Sequence, residues 1–324
     1  MEESNFYMNK KKLTILIPTR EEDLRPLRNA LRSAQWTDEI LLVDSSFSDK
    51  VAKIGKEFGA KVLCHKYAYS AKQKNWAISK AKHNWILLLD SDEVITAKLK
   101  MTIEKILDSQ DLEKYDGFGI ARKHFFFGKF LRWGGRYPLY QVRLFRKSCR
   151  YEDRDVHAHI ILEKDKIGYI KPKDGDLLHD SDRNFKQFFE RFDRYSTYQA
   201  HYMKKIADQK KKINWKEFLT NGFYFKAVVK DIWFFVPLSS IFRFMYMYLF
   251  RLGILDGREG FLIAVLYALQ DYISKTKYYF LTSRRPVMRV KMQDMIMDSI
   301  ASMDYFKDNK LNFLESYKKI AVEA

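Results

Sequence analysis

Cysteine is scarce in this sequence, and its scarcity excludes a fold held together by disulfides. The only two cysteines, Cys64 and Cys149, have no metal-ligand spacing. We expect both thiols to be buried and reduced. The first twelve residues also lack the apolar core of a secretory signal peptide, which predicts a cytoplasmic protein.

Long apolar runs and glycine-rich phosphate loops are missing as well. The longest charge-free runs, 232–242 and 261–270, fall short of the roughly 20 apolar residues that a membrane-spanning helix needs. The sequence contains neither a G-x-G-x-x-G nor a Walker A pattern. These absences argue against a membrane-spanning protein and against dinucleotide-binding and P-loop folds.

Acidic residues are in deficit. The 324 residues include 59 Lys and Arg against 41 Asp and Glu, a formal net charge of +18. This surplus predicts a polyanionic partner, which could be nucleic acid, an anionic membrane face or a phosphorylated substrate. Charge alone does not choose among the three.

Aromatic residues are abundant, at 16% of the chain, and many lie late in the sequence. Residues 222–280 are rich in Phe, Tyr, Ile and Leu, and Arg243 and Arg251 interrupt the apolar pattern. Cations beside aromatic side chains are typical of helices that lie in the interface of an anionic membrane. We therefore predict that residues 206–324 form a helical extension, peripheral on the inner face of the cell membrane.

The first part of the chain alternates between strand and helix patterns. Short, nearly continuous apolar runs at 13–18, 39–44, 61–65 and 85–90 are typical of strands covered on both faces. Ser48, Ser70 and Thr96 are placed to begin helices, and Gly59 to end one. Further strands are expected within 117–150 and 155–163, and a helix over 184–205. The sequence predicts an α/β fold with a doubly wound, mostly parallel sheet, and a catalytic domain over residues 1–205.

Acidic residues follow the strands at the edge where such sheets bind ligands. Asp90 and Asp92 come directly after an apolar strand, and residues two apart on extended chain point to the same side. Two adjacent carboxylates repel each other unless a cation lies between them, and hard cations prefer oxygen ligands. Although a solvated turn would also fit, we predict an Mn²⁺ or Mg²⁺ site here.

Several long segments resemble the family-2 glycosyltransferases, and the nearest group adds sugars to the lipopolysaccharide core. The resemblance rests on WTDEILLVDSSFSD, AYSAKQKNWAI, NWILLLDSDEVIT, FFFGKFLRWGGRYPLYQVRLFRK, DVHAHI, LLHDSDRNF and GILDGREG, across residues 13–280. It implies a GT-A fold, a UDP-sugar donor and inverting transfer to a lipid-linked or cell-surface glycan.

The resemblance also implies roles for individual residues. Asp44 corresponds to the acid that contacts uracil or ribose. His179 corresponds to a position that can add a metal ligand beside Asp90 and Asp92, or a diphosphate contact, although it could also be an ordinary helix-flanking histidine. Arg143, in an acid-free basic stretch, is a candidate to stabilise the departing diphosphate, although it could equally lie on a solvated strand face. The remaining donor-binding candidates are Pro18, Thr19, Arg20, Glu21, Lys72, Gln73, Asn75, Asp90 and Ser91.

The sequence departs from its relatives at the general base. They carry Glu after the Val-His of this motif, where this chain has Ala158. Either activity is impaired or the base has moved by a few residues, in which case we expect Asp155 to take the role, with Glu152, Asp153 or His157 as alternatives.

Two other kinds of function compete with this hypothesis. The same scaffold could glycosylate a protein or peptide, because a fold does not fix its acceptor. A nonenzymatic membrane-surface or nucleic-acid-binding protein would also suit the charge. No RNA-binding or helix-turn-helix pattern is present, and paired carboxylates repel phosphate, so we expect no nucleic-acid partner.

Overall fold

The computed structural model describes residues 11–21, 24–153, 158–182, 185–209, 215–220 and 222–283. Contacts divide the chain into two compact units. The first comprises Met1–Asp193 and Leu238–Gln270, and the second comprises Arg194–Pro237 and Asp271–Ala324.

The first unit is built on a mixed sheet of ten described strands. Its main path has the order β3-β2-β1-β4-β8-β6-β10-β5, and β7 and β9 both pair with β6. The strands are β1 (Leu13–Thr19), β2 (Glu39–Asp44), β3 (Lys61–Cys64), β4 (Trp85–Leu88), β5 (Glu93–Ile95), β6 (Gly117–Phe126), β7 (Lys129–Phe130), β8 (Leu139–Arg146), β9 (Ile167–Ile170) and β10 (Leu177–Asp182).

Nine α-helices lie in the described residues. They are α1 (Leu24–Ala34), α2 (Asp49–Glu57), α3 (Ser70–Lys80), α4 (Ala97–Asp108), α5 (Phe185–Gln209), α6 (Trp215–Thr220), α7 (Gly222–Trp233), α8 (Ser239–Met245) and α9 (Gly257–Thr282). Two expected N-caps are confirmed, since the Ser48 side chain accepts from the Lys50 amide and that of Thr96 from the Leu99 amide. Gly59 follows α2 with φ of +68°, as expected of a helix stop.

Strand alternation explains why the apolar runs are nearly continuous. In β1, Leu13, Ile15 and Ile17 pack into one buried cluster with α1, α2 and α4. Leu16 packs into a second cluster with α3 on the opposite face. Both faces of the sheet are therefore covered, which confirms the predicted α/β architecture.

The sheet has a parallel half and a mixed half. β1 is parallel to both β2 and β4, and β2 is parallel to β3. β8 is antiparallel to β4 and β6, whereas β10 is parallel to β6. The strand order reverses between β1 and β4, so the switch point of a doubly wound sheet lies there.

Three expectations differ in detail from the structure. Within 158–163 only an isolated bridge forms, between Tyr151 and Ile160, and 155–157 lie outside the described residues. Cys149 is buried as expected, but Cys64, the last residue of the edge strand β3, is exposed. The predicted domain boundary at 205/206 falls within α5, and a separate role for the C-terminal part stays a prediction.

The second unit is helical, with polar contacts between its helices. The Lys277 ammonium donates to the hydroxyls of Ser196 and Thr197 at 2.8 and 2.7 Å. The Lys275 ammonium donates to the Val236 carbonyl at 2.8 Å. Among the described residues, no helix has both the length and the apolar character required to cross a bilayer.

Candidate active site

The predicted donor and metal residues meet at one edge of the sheet. Thr19 and Asp44 end the parallel strands β1 and β2, and Asp90 begins the turn that follows β4. Antiparallel pairing of β8 with β4 places Arg143 beside that turn, and pairing of β10 with β5 places His179 beside Glu93. The first unit thus assembles this edge from segments more than 150 residues apart.

A buried ionic cluster lies at the centre of this edge. Arg143 is buried and donates from Nη2 to the carboxylates of Asp90 and Glu93, the latter at 2.6 Å. Glu93 is fully buried and also accepts from Arg122 Nη1 at 3.1 Å and from the Asp90 amide at 3.0 Å. Arg143 does not lie on a solvated strand face: it holds the acidic turn in place.

Charges around Asp90 control its ionisation. Burial raises the pKa of Asp90, but the neighbouring Arg143 and Lys74 charges outweigh it and leave that pKa below its ordinary value. Burial lowers the pKa of Arg143, but Asp90 and Glu93 more than compensate and raise it. Burial lowers the pKa of Lys74. The turn therefore carries an ionised carboxylate beside a permanent cation.

Asp92 and His179 face each other beside this cluster. The distance from His179 Nε2 to Asp92 Oδ2 is 3.4 Å, and both side chains are partly exposed. His179 Nδ1 lies 3.0 Å from Nδ1 of buried His124. Burial, aided by His179, lowers the pKa of His124 to about 2, so His124 stays neutral. Neutral His124 can accept from His179 Nδ1, which would leave the Nε2 lone pair of His179 available to a metal.

The three predicted metal ligands are used differently. Asp92 and His179 converge, whereas Asp90 is paired with Arg143. In the part of the chain that the structure describes, no group of three or more His, Cys, Asp or Glu side chains could hold a metal ion. The residues fit a cation that takes two protein ligands and completes its shell with substrate phosphate and water.

The loops after β1 and β2 are tightly organised. The Asp44 carboxylate is buried and accepts from the Ser46 amide at 2.8 Å, the Ser46 hydroxyl at 2.5 Å and the Ser48 amide at 2.7 Å. Glu21 pairs with Lys50 at 2.6 Å. Thr19 is buried, Pro18 is half-buried and Arg20 is exposed. Asp44 thus fixes the loop that would face the nucleotide.

The three donor-binding candidates on helix α3 lie in different environments. Lys72 is exposed, and its ammonium lies over the Tyr69 ring at 6.0 Å from the centroid. Gln73 is buried. The Asn75 side chain donates to the Tyr151 carbonyl at 2.9 Å and accepts from the Tyr151 amide at 2.8 Å. Asn75 therefore anchors the segment before the expected base.

Lys74 is the residue that the sequence reasoning missed on this helix. Its charge faces Asp90, Arg143 and Glu93. The spacing of Lys74 from buried Ala71 and Ala77, three residues to either side, puts it on the inner face of α3 and could have identified it. Arg122, Glu93 and His124 were missed because their partners come from distant strands.

The predicted base segment starts at this edge but is only partly described. Asp155 and His157 lie outside the described residues. The Glu152 amide donates to the His159 carbonyl at 2.9 Å, and Asp153 accepts from the Tyr69 hydroxyl. Tyr151 itself is buried near Arg143, Asp90 and Glu93. The choice of base stays a prediction.

Buried polar atoms without a partner are concentrated at this edge. Within the described residues, nine buried side-chain nitrogen or oxygen atoms lack a hydrogen-bond partner, and most of them belong to the residues above or to the end of β3. Those at the edge are Thr19 Oγ1, His65 Nδ1, Gln73 Nε2, Arg122 Nε, His124 Nε2 and Arg143 Nε. Buried polar atoms are normally satisfied, so this concentration points to a bound ligand.

Comparison with known proteins gives a consistent result. The family model described as glycosyl transferase family 2 matches residues 14–167. An uncharacterized glycosyltransferase of Rickettsia typhi is 26% identical over 276 residues, 82% of this chain and 86% of the relative. One from Rickettsia prowazekii is 24% identical over 317 residues, 96% of each chain.

Similar solved structures are more distant. The Staphylococcus aureus TarS 1–349 complex with UDP-GlcNAc is 13% identical, with a TM-score of 0.41 over 81% of this chain and 91% of that chain. A likeness at this level says nothing of the substrates of this chain.

Proposed function

We propose that this chain, a glycosyltransferase whose residues 14–167 match the family 2 model, transfers a sugar from a UDP-sugar to a glycan acceptor. The observation that carries the proposal is the cluster of buried, unsatisfied polar atoms beside a cationic edge. A nucleoside diphosphate offers phosphate and base oxygens that such donors could bind.

Cations at the edge suit the diphosphate. Lys74 lies beside the acidic turn, and Arg143 and Arg122 lie behind it. Arg143 pairs through Nη2 with Asp90 and Glu93, so its main contribution is to hold the turn rigid. Preorganised charge of this kind stabilises the negative charge that develops on the departing diphosphate.

Asp92 and His179 would hold a divalent cation. An imidazole next to a carboxylate suits Mn²⁺ better than Mg²⁺, which strongly prefers oxygen ligands. When bound, the cation supplies Lewis-acid stabilisation of the diphosphate leaving group. Asp90 would not bind the cation itself: its ion pair with Arg143 would hold the turn that carries Asp92.

Transfer requires that the acceptor hydroxyl lose its proton as it attacks the anomeric carbon. Asp155 remains our proposed base, with Glu152 and Asp153 as alternatives in the same segment. The Asn75 clamp on Tyr151 holds the start of that segment against α3. Displacement in line with the leaving group would invert the anomeric configuration.

The acceptor is proposed to be a lipid-linked or cell-surface glycan at the inner membrane face, as in the lipopolysaccharide-core group. The formal charge of +18 favours an anionic surface. Several large apolar side chains are exposed in the C-terminal part of the chain, which also favours a peripheral position on the membrane.

Donor use can be tested directly. We expect UDP and one or more UDP-sugars to raise the apparent melting temperature in the presence of Mn²⁺, and EDTA to reverse the shift. UDP release from the stabilising sugar nucleotide should follow the same metal dependence. If a full panel of sugar nucleotides gave neither stabilisation nor UDP release, the proposed function would be wrong.

A further inference from the structure

The segment before α9 exposes a large apolar surface in the first unit. Ten large apolar side chains of residues 238–255, which we call the apolar face, are exposed. They are Leu238, Ile241, Phe242, Met245, Tyr246, Leu249, Phe250, Leu252, Ile254 and Leu255. A concentration of exposed apolar side chains of this kind marks an interaction surface.

The exposed charged residues within 238–260 are both arginines. Arg251 and Arg258 are exposed, whereas Asp256 is buried and Glu259 is half-buried and bonded to Lys129 at 2.7 Å. An apolar surface bordered by arginines complements a bilayer with anionic headgroups. A second copy of the chain would bring like charges together.

The same segment clamps a loop that belongs to the active-site side of the sheet. The amides of Arg132 and Trp133 donate to Oδ1 and Oδ2 of Asp256 at 3.1 and 2.8 Å. The next amide, that of Gly134, donates to the Arg251 carbonyl at 2.8 Å. Three consecutive amides are therefore held by residues 251–256.

Further contacts fix the flanks of this loop. The Lys129 ammonium donates to the Asp256 carbonyl at 2.8 Å, and Arg136 Nη1 donates to the Tyr267 hydroxyl at 2.7 Å. Close packing requires glycine at position 260, where a Cβ would lie 1.9 Å from the Gly253 carbonyl oxygen. The GILDGREG sequence, residues 253–260, therefore serves to hold the loop at residues 131–136 in place.

The clamped loop adjoins the candidate active site. It follows β7, which pairs with the end of β6, and β6 carries His124, which contacts His179. The Leu131 amide donates to the His124 carbonyl at 3.2 Å, and the Tyr137 hydroxyl donates to Asp176 at 2.6 Å. One end of the loop is thus held beside His124 and His179. Its centre is held by Arg251 and Asp256, in and next to the apolar face.

We propose that the apolar face lies on an anionic bilayer and that Asp256 is a positioning residue that couples this membrane contact to the loop at residues 131–136. The loop then meets a lipid-linked acceptor at a fixed height above the headgroups. Only the use of the loop in transfer rests on the proposed function; the membrane contact and the coupling do not.

Vesicle flotation of the full chain tests the surface. With vesicles of equal parts phosphatidylcholine and phosphatidylglycerol, we expect the double variant Phe250→Ser, Leu255→Ser to lose at least about tenfold in partitioning, because two exposed apolar anchors are removed. Neutral phosphatidylcholine vesicles should bind the wild type more weakly.

A matched control uses apolar residues elsewhere in the first unit. Met101 and Ile161 are 57% and 62% exposed, similar to Phe250 and Leu255 at 74% and 61%. Met101→Ser, Ile161→Ser should float like the wild type. Equal loss in both double variants, or no loss in the first, would overturn the surface assignment.

Hydrogen exchange tests the coupling. Asp256→Ala should speed exchange of the Arg132 and Trp133 amides by about tenfold or more, because their acceptors are gone. Vesicles should slow exchange across 131–136 in the wild type and not in this variant, although both float. Asp256→Asn, which keeps one acceptor, should restore part of the protection, and Glu259→Gln should leave these amides unchanged.

The outcomes separate the hypotheses. Vesicles that leave exchange at 131–136 unchanged in the wild type would overturn the coupling. UDP affinity should stay within about twofold in Asp256→Asn, because no donor-binding residue is touched. If UDP failed to bind the wild type while flotation and exchange behaved as expected, the proposed function would fail and the surface and its coupling would stand.

Discussion

The two edges of the central sheet use polar residues in opposite ways. At the amino edge, Asp38 accepts from the Leu13 amide at 3.0 Å, and Glu39 accepts from the Thr14 hydroxyl at 2.6 Å and the Lys82 amide at 2.7 Å. At the carboxyl edge, Arg143 pairs with Asp90 and Glu93, and several buried nitrogens have no hydrogen-bond partner within the described part of the chain.

This difference distinguishes polar residues that stabilise the fold from polar residues that are available to bind a ligand. At the amino edge both carboxylates have hydrogen-bond partners on neighbouring segments of the protein, so their contribution is to stability. Buried charges beside unsatisfied donors are kept at a cost to stability, and a bound anion would complete them. We therefore propose the carboxyl edge as the functional one, and variants at the two edges should separate stability from binding.

Arg143→Met should give the largest effect. It leaves the buried Glu93 and the neighbouring Asp90 with too little positive charge, and breaking a buried ion pair costs roughly 3–5 kcal/mol. Urea unfolding should show this loss, and UDP binding should disappear with it. A variant as stable as the wild type would show that the cluster does not hold the turn.

Asp92→Asn should separate function from stability at the carboxyl edge. Loss of one metal-binding oxygen should lower metal-dependent turnover by at least about hundredfold. The free energy of unfolding should change by less than about 0.5 kcal/mol, because Asp92 is partly exposed. Asp38→Asn at the amino edge is the matched control and should keep full turnover. Unchanged turnover in Asp92→Asn would remove the metal hypothesis.

His124 should make stability depend on pH. The folded pKa lies near 2 and the unfolded value is 6.5, so below pH 6.5 the unfolded state binds a proton that the folded state does not. Stability contributed by neutral His124 is therefore lost as pH falls below 6.5, by up to about 1.4 kcal/mol per pH unit. Urea unfolding at a series of pH values, with EDTA present, should show that the free energy of unfolding depends less steeply on pH in His124→Asn than in the wild type. The same pH dependence in both proteins would contradict the burial of a neutral imidazole.

A pair of threonines on β1 gives the smallest and most closely matched test. Both are buried, and Thr14 has hydrogen-bond partners, whereas Thr19 Oγ1 has none among the described residues. Thr14→Val should cost about 1 kcal/mol of stability and leave UDP binding unchanged. Thr19→Val should be nearly neutral for stability and weaken UDP binding. If the two variants lost the same stability and the same affinity for UDP, the proposed difference between the two edges would be wrong.

Local patterns sufficed to predict the first half of the sheet. Apolar runs, the Ser48 and Thr96 caps and the Gly59 stop are each set by neighbouring residues, and the structure confirms them. The carboxyl ends of parallel strands share one edge, so the meeting of Thr19, Asp44 and Asp90 followed from the fold class.

The ionic cluster could not be predicted in the same way. The contact of Arg143 with Asp90 depends on the antiparallel register of β8 on β4, in which Ile86 lies opposite Phe145. The contact of His124 with His179 depends on parallel pairing of β6 and β10, 55 residues apart. No local spacing encodes either register, whereas the position of Lys74 on the inner face of α3 could have been read from the sequence.

Titration calorimetry of UDP with Mn²⁺ tests the central claim most directly, when the wild type is compared with Asp92→Asn and Asp38→Asn. We predict metal-dependent binding to the wild type and to Asp38→Asn, and a loss of at least about tenfold in affinity for Asp92→Asn. Equal affinity in all three proteins, or binding that EDTA leaves unchanged, would contradict the assignment of the carboxyl edge as the donor and metal site.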